Sequence, residues 1–560
     1  MIKGAADSKQ GNRVMADWGV VRWIAGRLAG LPARQARGLR IDRDIRVRMR
    51  DGVELLADRH YPSRGQAIDV VLMRSPYGRG ALFGLMAQLM AERGLQVVIQ
   101  SVRGTCGSGG KLDPMRQEQA DGVDTLHWLR AQPWLTGKLF TFGPSYLGNV
   151  QWAMAAAAPE LMDGLALPVT LTNFRHELLG GGSFMQGNML SWTELMRGMV
   201  NFVPGQRMQR PKIDALAQVH EHLPVGTLDQ AAFGESVSWW RDWTGHDDPD
   251  DPWWQAIDHS AAASRLTAPT TLIAGWKDVF LPYQLNDFTA RRAAGREAWL
   301  TVGPWTHASM QGMAAGLREA INTFAALRSG QQPYADRDRV RLFVQGAREW
   351  RDYPTWPPPG ARTVRFYLHT DGRLEPGAPA QEQIGTCYVY DPANPTPAVH
   401  GLYAMAASKV ADMTALEQRQ DTISFTSAAL EDDLDVIGPV QVSLSVRSDR
   451  EHTDFYACLC EVTAKGRPIQ VVDGFLRLRP QRPAADSSGV RRITVECWPT
   501  AYRFKRGRRI KVIIASGSHP RYARNPGTGD PLATATRMVK ARQEVLHSPG
   551  YPSFLEVAVV

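Results

Sequence analysis

The chain has 560 residues, 44% of them apolar and 22% charged, with 17 Trp. These values exclude a disordered, collagen-like or low-complexity chain, and the length exceeds what one hydrophobic core serves, so several domains are expected. The formal net charge of +9 invites nucleic acid or anionic surfaces, but the basic residues concentrate only mildly, over Arg34 to Arg50 and Arg503 to Arg509. No nucleic-acid motif accompanies either run, and solvated surface is the preferred reading.

The N-terminal segment lacks the continuous apolar stretch of a secretory signal, and no run approaches a membrane span. Val20, Ile24, Leu28 and Leu31 recur at helical spacing, so residues 1–41 read as an extension carrying an amphipathic helix. Docking on the protein itself is preferred over contact with a membrane surface. Five cysteines, Cys106, Cys387, Cys458, Cys460 and Cys497, have no metal-ligand spacing. No metal or organic cofactor is expected, and a reducing compartment, hence the cytoplasm, is the preferred location.

From Asp44 apolar Ile45, Val47 and Met49 alternate with arginines, and Asp51-Gly52 turns the chain into Val53, Leu55 and Ala57, a hairpin. Val70 to Met73, Leu95 to Ile99 and Leu139 to Phe142 are short apolar runs without clean alternation, as in strands buried on both faces. Helical stretches over Gly84 to Arg93 and Gln117 to Leu129 separate them, which predicts an α/β unit with a largely parallel sheet over 42–173. Residues 174–260 then become rich in Met, Trp and Gly, with Met185, Met189, Trp192 and Met196 at helical spacing, an inserted helical cap. The α/β pattern resumes over 261–339 with Thr270 to Ala274 and Ala298 to Val302. Past 340 the strands Val364 to Leu368, Val440 to Val446, Phe455 to Val462, Ile493 to Cys497 and Ile510 to Ala515 follow one another without crossover helices. That predicts an all-β sandwich or jelly roll over 340–560.

The strongest local signal is Gly143-Pro144-Ser145-Tyr146-Leu147-Gly148, after a strand and before the helical run Asn149 to Ala158. Strand, serine, helix is the context of a nucleophile elbow, although the second glycine comes one position later than in the strict pattern. Two partners follow in the chain order of an α/β-hydrolase. Asp278 ends the strand at Thr270 to Ala274 through Gly275-Trp276-Lys277, and His307 ends the next through Gly303-Pro304-Trp305-Thr306. Alone, either would be read as structural; together they predict a triad of Ser145, Asp278 and His307.

With Arg50-Asp51-Gly52-Val53, Ser75-Pro76-Tyr77, Val102-Arg103-Gly104, Glu349-Trp350-Arg351-Asp352, Gly438-Pro439-Val440, Thr453-Asp454-Phe455 and Arg524-Asn525-Pro526-Gly527-Thr528-Gly529, these motifs resemble the cocaine esterase-like hydrolases. That family is related to α-amino acid ester hydrolases, glutaryl acylases and Xaa-Pro dipeptidyl-peptidases. The resemblance runs from about Asp42 to the C-terminus and makes the late glycine the family's own form. It implies that the Tyr77 hydroxyl joins the Tyr146 main-chain N–H in an oxyanion hole. It also makes Trp192 the first candidate for an aromatic wall of the substrate pocket, with Phe184 and Met185 next, a core role being the alternative for each.

A serine hydrolase of a small-molecule ester or amide, through an acyl-enzyme, is thus expected, with an apolar acyl group preferred. The carboxylates Asp247, Asp248, Asp250 and Asp251 are a possible amine site, but a proline-broken acidic run reads better as a solvated loop. A dipeptidyl-peptidase or acyltransferase keeps the same triad and is the first alternative; a non-catalytic binding protein is the second. Oligomeric state is left open.

Overall fold

The computed structural model describes residues 19–64, 68–200, 202, 213–399, 411–480 and 483–560. Helix α1 covers residues 19–28. Three of the four residues of its apolar stripe face outward, Val20 59%, Ile24 46% and Leu28 84% exposed, while Leu31, just past the helix, packs against the core beside the helix Ala81–Ala91. The helix instead sits down on its other side, where Arg22 Nε meets the buried Glu92 at 2.9 Å and Gly26 lies against Arg93. A buried carboxylate needs a cation, and small residues let the helix approach it, so this ion pair outweighs the apolar spacing.

Ten strands form one sheet: β1 (Leu39–Arg48), β2 (Glu54–Pro62), β3 (Val70–Ser75), β4 (Gln96–Ser101), β5 (Leu139–Phe142), β6 (Gly164–Pro168), β7 (Thr270–Lys277), β8 (Ala298–Thr306), β9 (Val340–Val344) and β10 (Glu349–Tyr353). Their spatial order is β1-β2-β4-β3-β5-β6-β7-β8-β9-β10. From β4 to β9 all neighbours are parallel, and β3, β4, β5 and β6 are buried along their whole length. Apolar runs without alternation are what two covered faces demand. The covering helices are α2 (Ala81–Ala91), α3 (Glu118–Arg130) and α4 (Tyr146–Ala157). Because the chain goes from β3 to β4 on one side and then returns to β5 on the other, the order reverses between β3 and β5. That reversal leaves a crevice at the strand carboxyl ends, where open α/β sheets bind ligands.

Between β6 and β7 lie α5 (Arg175–Leu178), α6 (Gln186–Val200), α7 (Leu228–Phe233), α8 (Ser238–Gly245) and α9 (Ser260–Arg265). Helix α10 (Leu281–Ala293) follows β7, and α11 (Met310–Arg328) follows β8. The parallel sheet does not close at residue 339. β9 pairs with β8 across the α11 crossover, and β10 returns antiparallel beside it. A short hairpin without its own helix looks, in sequence, like the start of the β-rich region.

That region is built from β11 (Arg362–Leu368), β12 (Leu374–Glu375), β13 (Thr386–Tyr390), β14 (Ile423–Thr426), β15 (Leu434–Ser448), β16 (Thr453–Val462), β17 (Pro468–Leu478), β18 (Arg491–Phe504), β19 (Arg509–Ala515), β20 (Ala541–Val545) and β21 (Phe554–Val559). The pairs are antiparallel along the path β12-β11-β21-β15-β18-β17-β16-β19-β14. A bridge between Arg373 and Thr426 brings the two ends of that path together, so it curls into a near-barrel. Two arginines of the basic run at its rim form ion pairs, Arg503 with Asp435 at 2.6 Å and Arg508 with Glu461 at 3.7 Å. Among the described residues no helix is long and apolar enough to cross a membrane.

Candidate active site

Ser145 stands between β5 and α4 with φ 59° and ψ −124°, a conformation that non-glycine residues avoid and that persists only when the surroundings enforce it. Here its N–H donates to the carbonyls of Pro168 and Val169 at 3.1 Å each, and its own carbonyl accepts from Thr170 Oγ1 at 2.8 Å. The tight turn forces two close approaches. A Cβ on Gly143 would meet Leu147 Cβ at 2.3 Å, and one on Gly148 would meet Thr170 at 2.5 Å. Glycine is therefore required where α4 crosses the end of β6, at position 148, whereas Leu147 turns into the core beneath the sheet.

The acid and the imidazole arrive from the ends of β7 and β8. His307 Nε2 lies 2.9 Å from Ser145 Oγ, and His307 Nδ1 lies 2.8 Å from Asp278 Oδ2. Asp278 is wholly buried, and its other oxygen accepts the Phe280 N–H at 2.8 Å, which fixes the carboxylate plane. Phe280 then sets its ring edge-on to the imidazole, 4.9 Å between centroids. The three predicted residues are thus joined in one hydrogen-bonded line that can pass a proton from hydroxyl to imidazole.

Tyr77 follows β3, the strand beside β5. Its hydroxyl accepts the Trp192 indole N–H at 3.1 Å. Burial pushes its pKa up to about 12, against hydrogen bonds from Trp192 and Ser145 that pull it down, so it remains a proton donor at neutral pH. Tyr146 is the first residue of α4, so its main-chain N–H precedes the helix's hydrogen-bond ladder. Its side chain points away into the core: the hydroxyl donates to Glu118 Oε1 at 2.8 Å and accepts the Met115 N–H at 2.9 Å. Glu118 in turn pairs with Arg74 at 2.9 Å.

Trp192 stacks on Tyr146, 6.1 Å apart and 11° from parallel, and touches Trp243 at 5.8 Å. Phe174 lies 6.2 Å from Tyr146 and 5.5 Å from Phe280. The cap therefore faces the triad with Phe174 and Trp192. Phe184 and Met185 are elsewhere: both are buried, Phe184 edge-on to Trp240 at 5.2 Å with its carbonyl taking the Ala523 N–H. They pack the cap onto the β-rich region. The acidic run is also occupied: Asp251 accepts the Trp253 N–H and meets His246 at 2.7 Å, and Asp247 accepts the Leu532 N–H. Sequence reasoning missed Phe280, two residues past the acid and findable by that proximity. It also missed Phe174 and Trp243, for which no local signal exists.

A reversing parallel sheet with a strained serine elbow and a Ser-His-Asp line at its carboxyl edge defines an α/β-hydrolase. The model of the X-Pro dipeptidyl-peptidase S15 family matches residues 51–309, and that of the X-Pro dipeptidyl-peptidase C-terminal non-catalytic domain matches residues 334–556. Cocaine esterase of Rhodococcus sp. (strain MB1 Bresler) is 30% identical over 566 residues, spanning 92% of this chain and 98% of the relative. An aminopeptidase from the marine sediment archaeon Thaumarchaeota archaeon shares the fold with a TM-score of 0.79, at 20% identity over 93% of this chain and 96% of the other. An α-amino acid ester hydrolase does so with a TM-score of 0.79, at 22% identity over 95% and 98%. The chain belongs to the cocaine esterase-like family and is a serine hydrolase.

Proposed function

We propose that this enzyme cleaves carboxylic esters or amides of small molecules through an acyl-enzyme on Ser145. His307 takes the hydroxyl proton as Ser145 Oγ attacks the carbonyl carbon, and Asp278 holds the imidazole in the required tautomer. The carbonyl oxygen, now negative, is met by the Tyr77 hydroxyl and the Tyr146 main-chain N–H. The imidazolium returns its proton to the leaving alcohol or amine. Water then repeats the attack on the acyl-enzyme, releasing the acid and restoring Ser145.

The observation that carries this reading is the line from Asp278 through His307 to Ser145, at 2.8 and 2.9 Å. Residues 42–173 and 261–339 carry the chemistry in it, and the cap over 174–260 carries recognition. The acyl group packs against Trp192, Phe174 and Phe280, an apolar surface of the kind that binds small ligands. The match to the X-Pro dipeptidyl-peptidase family supports a second reading, release of an N-terminal Xaa-Pro dipeptide by the same steps. All five cysteines are free, which supports a reducing compartment and a cytoplasmic site of action.

The test is hydrolysis of short- and medium-chain aryl esters beside an Xaa-Pro arylamide, comparing the wild-type protein with Ser145→Ala. Ester turnover that disappears in the variant supports the reading, a faster arylamide moves it to the peptidase, and turnover that survives the substitution rejects Ser145 as nucleophile.

A further inference from the structure

Helix α1 is docked the wrong way round for an amphipathic helix of a water-facing surface. The side it turns to the rest of the chain is polar or small. Arg22 gives Nε to Glu92 and Nη1 to Gln88, each at 2.9 Å, Gly26 abuts Arg93 and Leu89, and the buried Ala29 just past the helix offers its carbonyl to Arg318 Nη1 at 3.3 Å. Arg93 Nε then donates to the Pro32 carbonyl at 3.0 Å. The large side chains are left outside. Val20, Trp23, Ile24 and Leu28 follow at three- and four-residue steps, one stripe of a helix, and Val21 flanks them. Of the twelve large apolar side chains that stand exposed among the described residues, these are five. Single exposed apolar residues need no explanation, whereas a contiguous stripe marks a contact surface.

Three occupants compete for it. Residues 1–18 match poorly, because before Trp18 their large apolar residues are Met1, Ile2, Val14 and Met15, two isolated pairs among Lys3, Asp7, Lys9, Arg13 and Asp17. A second copy has too little to hold: a helix over residues 19–28 is about 15 Å long and about 10 Å across, far short of the roughly 800 Å² per partner of a stable interface. The charge decides for the third. Between Asp17 and Asp42 the chain has five arginines and no carboxylate. Arg22 and Arg34 turn in to Glu92, but Arg27, Arg37 and Arg40 are exposed and form no ion pair among the described residues. Arg27 lies over the Trp23 ring at 5.4 Å, a cation and an aromatic side by side as headgroup boundaries favour. The Gln35 and Ala36 N–H groups both donate to the Glu92 carbonyl, which keeps Arg37 beside the anchor of α1.

We propose that α1 is a membrane-surface anchor: it lays Val20, Trp23, Ile24 and Leu28 into the acyl boundary of an anionic bilayer and sets Arg27 and Arg37 against its negative headgroups. Helix α2 carries the chain from the carboxyl end of β3 to the amino end of β4, so its last turn, where α1 docks, lies at the amino edge of the sheet. The triad stands at the opposite edge. The bound enzyme therefore keeps its crevice open to water, and the anchor sets where it works without changing how fast.

The probes are vesicles of phosphatidylcholine alone and of phosphatidylcholine with about one-third phosphatidylserine, sedimented with the full chain. The protein pellets with the second kind and at least about tenfold less with the first, and binding weakens as salt rises from about 0.1 to about 0.5 M. Arg27→Gln lowers the partition coefficient about fivefold. Ile24→Gln combined with Leu28→Gln leaves every charge in place and lowers it by at least about tenfold, while the thermal midpoint and aryl-ester turnover stay at wild-type values, because both side chains face solvent. Absence of pelleting with the anionic vesicles overturns the proposal. So does pelleting that the double variant leaves unchanged, since charge alone then binds. A lipid-free dimer in analytical ultracentrifugation that the double variant dissociates gives the stripe to a second copy, and pelleting that appears only after deletion of residues 1–18 gives it to that segment; either result also overturns the proposal.

Discussion

The two sides of the active site are built by different means. On the sheet side, Ser145, Asp278, His307 and Tyr77 each stand at the carboxyl end of a buried parallel strand, and the backbone itself fixes their positions. Ser145 is held by carbonyls at the end of β6, and Asp278 by the Phe280 N–H leading into α10. On the cap side, Phe174, Trp192 and Trp243 meet Tyr146, Phe280 and one another through ring contacts between side chains. A main-chain anchor tolerates little change, because moving it breaks sheet hydrogen bonds, whereas a packed side chain can be exchanged for another of similar volume. The same scaffold can therefore keep its chemistry while its substrate range drifts.

The sharpest way to break this contrast is at Asp278. Replacement by Asn keeps an oxygen for the Phe280 N–H but turns an amide NH2 group toward His307 Nδ1, which imposes the wrong tautomer. We expect kcat for the best ester to fall on the order of 10⁴-fold with KM little changed, measured by steady-state kinetics. A loss of only about tenfold would show that the sheet side is not the chemical centre. Tyr77→Phe comes next. It removes one oxyanion donor and should lower kcat by about 10²–10³-fold. Because the same hydroxyl accepts the Trp192 N–H, the split between kcat and KM tells whether Tyr77 acts on the reacting carbonyl or only as a prop for the wall. A change confined to KM would move it to the cap side of the comparison.

The contrast also explains what could be read from sequence. Gly143, Gly148 and the strand-serine-helix context were visible because close backbone approaches demand glycine at set offsets, and the acid and imidazole follow strands in a fixed order. The cap was visible only as helical spacing. Nothing in the sequence distinguishes Trp243 from the other tryptophans of the cap, since its place beside Trp192 depends on how α6 and α8 pack. Phe184 and Met185 have the right spacing beside Trp192, yet the chain turns at the start of α6 and sends them toward Trp240 and Ala523. The outward stripe of α1 misled for a related reason: helical spacing identifies a face but not what that face meets, and the Arg22–Glu92 ion pair decided the docking.

The smallest effect on turnover is expected at Tyr146, which belongs to both sides at once. Its main-chain N–H lies at the start of α4 beside the nucleophile, while its ring carries Trp192 and its hydroxyl bonds Glu118 and the Met115 N–H. Met115 has φ 67°, an unfavourable conformation for methionine, and the Tyr146 hydroxyl is what its N–H meets in the core. Tyr146→Phe leaves the main-chain donor and the ring in place and strands two buried polar groups. Unfolding in urea should therefore show a loss of about 1–3 kcal/mol, with kcat within a few-fold of wild type and Glu118 still paired with Arg74. Loss of turnover without loss of stability would mean that the hydroxyl reaches the chemistry through Glu118, and the division between an anchored catalytic side and a packed recognition side would no longer hold at the residue where they join.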